Sequence, residues 1–188
     1  MRQRDGSPED ATLISKLLIL FLCVSALMVA GCCTTATHEG MTPTTFETGA
    51  KNQKTVGVDV GGGKELDELG RTRISNEEFK KALLAAITKS GTFSRTVEGK
   101  EGDYLLSVMI FSMEQPVFGL SFTVKMEAGW TLKRVATGET VWQESIKSEH
   151  TATTGDAFIG ATRLRLATEG AGRKNISQGL AKISKLSL

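Results

Sequence analysis

Two histidines and three cysteines in 188 residues leave almost nothing from which to build a zinc site or a disulfide framework. All three cysteines, Cys23, Cys32 and Cys33, precede His38, and the second histidine, His150, lies far along the chain. No G-x-S-x-G elbow offers a nucleophile to His150, so His150 and Asp156 read as polar residues ending a strand rather than as parts of a triad. Neither sign of charge dominates: 23 Lys and Arg against 21 Asp and Glu give a net charge of +2, which supplies no basic field for nucleic acid. The longest apolar run, Lys16 to Gly31, holds about fifteen residues, where a membrane-crossing helix needs roughly 20. No metal, cofactor, nucleotide or nucleic acid is expected, and one globular domain is the prior at 40% hydrophobic content.

That apolar run is what the chain does have. "KLLILFLCVSALMVAG" stands behind a lysine and ends in small residues, the shape of a secretory signal peptide over residues 1–31. It is apolar all round, whereas a core helix alternates faces. Val29-Ala30-Gly31-Cys32 resembles the lipobox of bacterial lipoproteins. The resemblance implies cleavage between Gly31 and Cys32 and a diacylglyceryl-modified, amino-acylated Cys32. It also implies sorting to the outer membrane, periplasmic face, because the next residue, Cys33, is not aspartate. One acyl chain holds a protein only marginally, while three hold it stably. Cys33 then remains as a spacer beside the lipid, and stability must come from packing rather than from an intrachain disulfide.

Residues 32–54 read as the lipidated cysteine and a flexible tether, since "TTATHEGMTPTTFETGAKNQK" is rich in threonine and shows no apolar period. Fully extended, such a segment reaches ~70 Å. His38 lies in it and reads as solvated. Residues 55–188 read as the single folded domain. In "TVGVDV" the alternation of Val56, Val58 and Val60 predicts a strand, followed by a flexible exit through Gly61, Gly62 and Gly63. Ser75 and Glu78 form a capping box for a helix with Phe79, Ala82, Leu83, Ala86 and Ile87 on one stripe and Gly91 as its terminating cap. "TFSRTV" is a short strand candidate, and "DYLLSVMIFSM" a strand apolar on both faces and therefore internal to a sheet.

The next segment, Phe122 to His150, reads as a hairpin with Ala136-Thr137-Gly138 as a three-residue turn. That turn sets Leu132 opposite Trp142, Trp130 opposite Glu144 and Ala128 opposite Ile146. On the other face Glu127 meets Lys147 and Lys125 meets Glu149. A slip of one residue destroys both the apolar ladder and the charge pairs. The chain ends in a helix capped by Asp156, with Ile159, Leu166, Ile176, Leu180 and Ile183 at helical spacing. Gly170 and Gly172 fall mid-run at a cost of up to ~1 kcal/mol each relative to alanine, marking a bend or a close approach to the sheet. Arg163, Arg165, Arg173 and Lys174 read as a solvated basic face, with contact to a partner or lipid headgroup as the functional alternative.

The expected fold is α+β: an antiparallel or mixed sheet of four to five strands with two helices on one face, in the order β-α-β-β-β-β-α. "SNEEFKKALLAAITKSGTF", "GDYLLSV" and "WTLKRVATGETVW" followed by a terminal helix resemble the small envelope domains of the Tol translocation protein's amino-terminal region. They are similar also to lipoproteins that activate penicillin-binding proteins or assemble curli pores. The resemblance implies a module that binds another envelope protein. "GVDVGG" resembles the phosphate turn of sugar kinases and actin-like ATPases, but those need two large domains. The P-loop pattern fails as well, with Val58 and Glu65 at required Gly and Ser/Thr positions. The reading is thus a lipid-anchored, non-catalytic envelope module. Its alternative is a binder, carrier or enzyme for a small envelope lipid or sugar, which calls for an apolar pocket with convergent polar groups.

Overall fold

The computed structural model describes residues 35–47, 52–99 and 101–188. The expected signal peptide, its cleavage point at Gly31 and the acylated Cys32 lie outside these residues. The elements are α1 (His38–Met41), β1 (Thr55–Gly61), α2 (Asn76–Ser90), β2 (Arg95–Val97), β3 (Tyr104–Glu114), β4 (Phe122–Arg134), β5 (Thr140–Ala152) and α3 (Gly160–Ile183). The five strands form one sheet in the order β2-β1-β3-β4-β5. β1 runs parallel to both of its neighbours, and β3, β4 and β5 alternate antiparallel, so the sheet is mixed.

The expected α+β order holds from β1 onward, and the hairpin register is the one the side chains dictate. Leu132 pairs with Trp142, Trp130 with Glu144, Ala128 with Ile146, Glu127 with Lys147 and Lys125 with Glu149. Gly138 adopts φ 72°, a left-handed turn conformation that a residue with a Cβ enters only at a cost. β3 lies at the centre of the sheet, but its two faces differ. Tyr104, Leu106, Val108 and Ile110 are buried under the helices, while Met109 and Phe111 remain exposed on the open side. Phe111 lies across Gly129 of β4, where an added Cβ would stand 2.4 Å from the ring.

α2 begins where Ser75 accepts a hydrogen bond from the Glu78 N–H at 3.2 Å and ends at Gly91 with φ 66°. Its stripe of Phe79, Ala82, Leu83, Ala86 and Ile87 is buried as the spacing demands. α3 lies on β4 and β5, close enough that two of its glycines are required. A Cβ on Gly170 would meet the His150 ring at 2.0 Å, and one on Gly179 would meet the Trp130 indole at 2.5 Å. Of the expected pair, Gly170 therefore marks close approach to the sheet, while Gly172 faces Met41 and Ile74 instead, and the helix runs through both without interruption. A buried polar chain fixes the helix in register. The Trp130 Nε1–H donates to Asn175 Oδ1 at 2.9 Å, Asn175 Nδ2 donates to the Ile146 carbonyl at 2.9 Å, and the Ser148 hydroxyl donates to the Ala171 carbonyl at 2.9 Å.

The structure departs from the sequence in three places. Residues 35–47 are not a free tether: Ala36 and Met41 are buried, and α1 adds a third helix to the expected two. The Thr37 backbone N–H and hydroxyl both donate to Oε1 of the buried Glu169 at 3.0 Å, and His38 donates through its backbone N–H to Glu78 Oε2 at 2.8 Å. Thus the Glu78 carboxylate holds α1, and it is the Glu78 backbone N–H that pairs with Ser75. Asp156 does not cap α3; its carboxylate accepts from the Thr153 N–H and hydroxyl at 2.7 and 2.9 Å, and the helix starts later, after Ile159. Gly61 to Gly63 are not a loose exit. The Gly63 N–H donates to Asn76 Oδ1 at 2.7 Å, and Lys64 N–H to the Ile74 carbonyl at 2.9 Å, which closes residues 62–74 into a compact excursion.

Candidate functional site

Because β1, β3 and β5 point the same way, the loops that follow them, residues 62–74, 115–121 and 153–159, all leave one end of the sheet. These loops carry most of the large apolar side chains that the described residues leave exposed: Leu69, Val117, Phe118, Leu120, Phe158 and Ile159. Their exposure runs from 66% at Ile159 to 91% at Phe158, far beyond a singly exposed surface leucine.

The scaffold beneath these tips is polar and tied together. Arg163 sits in the first turn of α3 and is buried. One guanidinium nitrogen, Nη1, donates to the carbonyls of Ala157 and Phe158, both at 2.9 Å, and Nη2 donates to that of Gly119 at 3.2 Å. The same group stacks over the Phe122 ring at 5.1 Å. Two loops are thereby joined through their backbones while their side chains point away. The third is joined by Gln115, whose Nε2 donates to the Thr72 carbonyl at 2.6 Å and to Thr168 Oγ1 at 3.0 Å. Arg71 Nη1 adds a bond to the Gln115 carbonyl at 3.4 Å.

The expected basic face does not form. Arg163 serves the loop carbonyls, Arg165 donates to Glu169 at 2.9 Å, and Arg173 Nε donates to the Gly40 carbonyl at 2.9 Å. Only Lys174 of the four is exposed. Helical spacing placed these arginines on the outside; the loops cover Arg163, α1 takes Arg173, and Arg165 lies along its own helix against Glu169. His150 is held flat against Gly170, and burial lowers its pKa below the usual histidine range, with the charges of Arg173 and Lys174 adding to that and Asp156 opposing it. Asp156 itself is committed to Thr153. His38, expected to be solvated, has Nδ1 at 2.8 Å from Glu78 and Nε2 at 3.1 Å from Glu39. Burial pushes the Glu78 carboxyl up, but the bonds from His38 and Lys81 outweigh this and bring it down to about 2.

An open cleft of about 700 Å³ lies between the 62–74 excursion and the end of β3, lined by Lys64, Asp67, Arg71, Arg73, Phe111 and Met113 among others. Its charges are turned on one another: Arg71 bonds Asp67 through Nε at 2.7 Å and Nη2 at 2.6 Å, and Arg73 stands 3.8 Å from the same carboxylate. The Gly63 N–H, a candidate anion donor, is already taken by Asn76.

No protein-family model matches the chain, and no curated protein matches it in sequence. Its fold recurs among solved structures. A hypothetical protein from Chlamydia trachomatis aligns at TM-score 0.53 and 8% identity over 70% of this chain and 96% of its own. A Xanthomonas campestris protein of family DUF330 aligns at TM-score 0.52 and 12% identity over 74% of this chain and 91% of its own. A minor lipoprotein from Acinetobacter baumannii is a looser match, at TM-score 0.49 and 8% identity over 72% and 93%. The first two share the α+β layer with this chain, and at such identities the likeness is one of fold. The narrower kinship with the Tol, penicillin-binding-protein activator or curli groups is not what these structures show.

Proposed function

We propose that this protein is a lipid-anchored component of the bacterial envelope, attached through Cys32 at the periplasmic face of the outer membrane, and that it acts without catalysis by docking other envelope components. The observation that carries the reading is where the large apolar side chains are left exposed. They gather on the three-loop end and continue onto the open sheet face at Met109 and Phe111. Exposed apolar surface of this kind marks contact with a partner. Cys32 and the lipobox supply the address. The alternative, a carrier or enzyme for a small lipid or sugar, would use the cleft beside β3, where a ligand must compete with the Asp67–Arg71 pair for its polar contacts.

Crosslinking in intact cells followed by capture of the protein tests this, with Cys32→Ala as the mislocalised control. The native chain is expected to bring down a discrete envelope protein that the control does not. Equal and empty captures from both, together with a lipid or sugar retained by the purified protein, would overturn the docking role.

A further inference from the structure

We infer that the three-loop apolar end is a membrane seat: Phe118, Leu120, Phe158 and Ile159 enter the same bilayer that holds the acyl chains of Cys32, so the domain stands on the membrane rather than hanging from it. The inference rests on the lipid-anchored reading above; it gives the loop end to the membrane and leaves the open sheet face at Met109 and Phe111 for a docked protein.

Chain direction is the first ground. Thr37 bonds Glu169, the Gly40 carbonyl accepts from Arg173, and Glu47 stands 3.5 Å from Lys185, so residues 37–47 travel along α3 from its loop end toward its far end. Followed backwards, the chain heads for the loops. Glu169 lies about 14 Å along the helix from Gly160 at 1.5 Å per residue. Cys32 is bound to Thr37 by a stretch that extends to at most about 17 Å. A stretch of that length is long enough to reach the level of Gly160, where the loops join α3, whereas the far end of α3, about 21 Å beyond Glu169, is out of its range.

Loop chemistry is the second ground. Residues 115–121 and 157–162 contain no charged side chain, Asp156 is turned onto Thr153, and the third loop, residues 62–74, carries three basic and three acidic side chains that balance. Backbone carbonyls entering a lipid interface need internal donors, and Arg163 supplies them from below to Gly119, Ala157 and Phe158. The apolar side chains stand on separate loop tips, in the manner of residues that dip into an interface beside a covalent lipid. With no net positive charge on the three loops, and Arg71 and Arg73 turned onto Asp67, contact depends on apolar burial rather than on attraction to anionic headgroups, and salt should leave it unchanged.

The acylated full-length protein, matured in cells with Cys33→Ser and reconstituted into phosphatidylethanolamine and phosphatidylglycerol vesicles, carries the test. Single environment-sensitive labels are placed at Phe118→Cys, Phe158→Cys and, at the opposite end, Thr137→Cys. The first two are expected to shift to the blue and to be quenched by lipids bearing a nitroxide on the acyl chain, unchanged between about 0.1 and about 0.5 M salt. The Thr137 label should stay in water. Because these side chains are exposed, Phe118→Asp with Phe158→Asp leaves the core intact and should speed transfer between vesicles at least about tenfold. Labels at 118 and 158 that behave like the one at 137, or transfer unaffected by the double aspartate, overturn the membrane seat. Labels dry in native envelopes but not quenched by lipid, and crosslinked to a protein, overturn it too while leaving the docking role intact. Mass spectrometry showing Cys32 unacylated would instead remove the anchored reading itself.

Discussion

Met41 separates a docked amino-terminal segment from a tether by measurable free energy. Its side chain is fully buried and lies over Gly172 of α3, where an added Cβ would meet Met41 Sδ at 2.9 Å and Ile74 Cδ1 at 3.1 Å. Truncating a buried methionine to alanine typically costs 2–5 kcal/mol, and for a side chain near the edge of the core about 2–3 kcal/mol is expected. With an m-value of ~1.5 kcal/mol/M, the urea midpoint of Met41→Ala should fall by roughly 1–2 M. Gly172→Ala sharpens the test. In the native background its gain in helix propensity, up to ~1 kcal/mol, is opposed by the crowded thioether; with Met41→Ala the space is partly cleared. The double-mutant cycle should show a favourable coupling of about 1 kcal/mol or more. A midpoint unchanged within about 0.3 M for Met41→Ala, with strict additivity, would mean that residues 35–47 do not contribute to the fold and would refute the docking of α1.

Gly179→Ala should lower stability by about 1–3 kcal/mol in spite of the better helix former, because the new methyl stands 2.5 Å from the buried Trp130 ring; thermal unfolding checks it. Asn175→Leu leaves the Trp130 Nε1–H without its acceptor and should cost about 2–4 kcal/mol, with a changed near-ultraviolet signal from Trp130. Acid should act in two stages. His150, with its pKa lowered in the fold, favours folding in its neutral form, so its contribution is present above about pH 6.5 and is lost as pH falls through the folded value. Glu78, held near 2, contributes above about pH 4.5 and loses that contribution on further acidification toward 2. Urea midpoints measured against pH should show both stages, with Glu78→Gln flattening the lower and His150→Gln the upper.

What could be read from the chain was whatever adjacent residues decide. Ser75, Glu78 and Gly91 bound α2 by local hydrogen bonding and backbone preference, and the alternation of Trp130, Leu132, Glu127 and Lys147 admits only one hairpin register. α1 escaped because a four-residue helix has no period to detect, and its stability comes from Glu169, 132 residues away. Gly172 did signal a close approach, but nothing in the local pattern says that Met41 fills the gap. The arginines were misplaced for a related reason: helical spacing reports which residues share a face, not whether a loop folds back over it, as residues 115–121 and 153–159 do over Arg163. Phe118 and Phe158 look like ordinary apolar residues next to a strand and a helix. They become one surface only when β1, β3 and β5 are known to be parallel.

The central claim is that the lipidated terminus and the apolar loops share one end of a domain to which the amino-terminal segment is fixed. Spin labels at Thr35→Cys and Ser121→Cys, in Cys33→Ser protein acylated at Cys32, measure it by double electron–electron resonance, with Thr35→Cys paired to Thr137→Cys as the distance to the far end. The account predicts two narrow distributions, the one to residue 121 clearly the shorter. A broad distribution for either pair, or a shorter distance to residue 137, would contradict it.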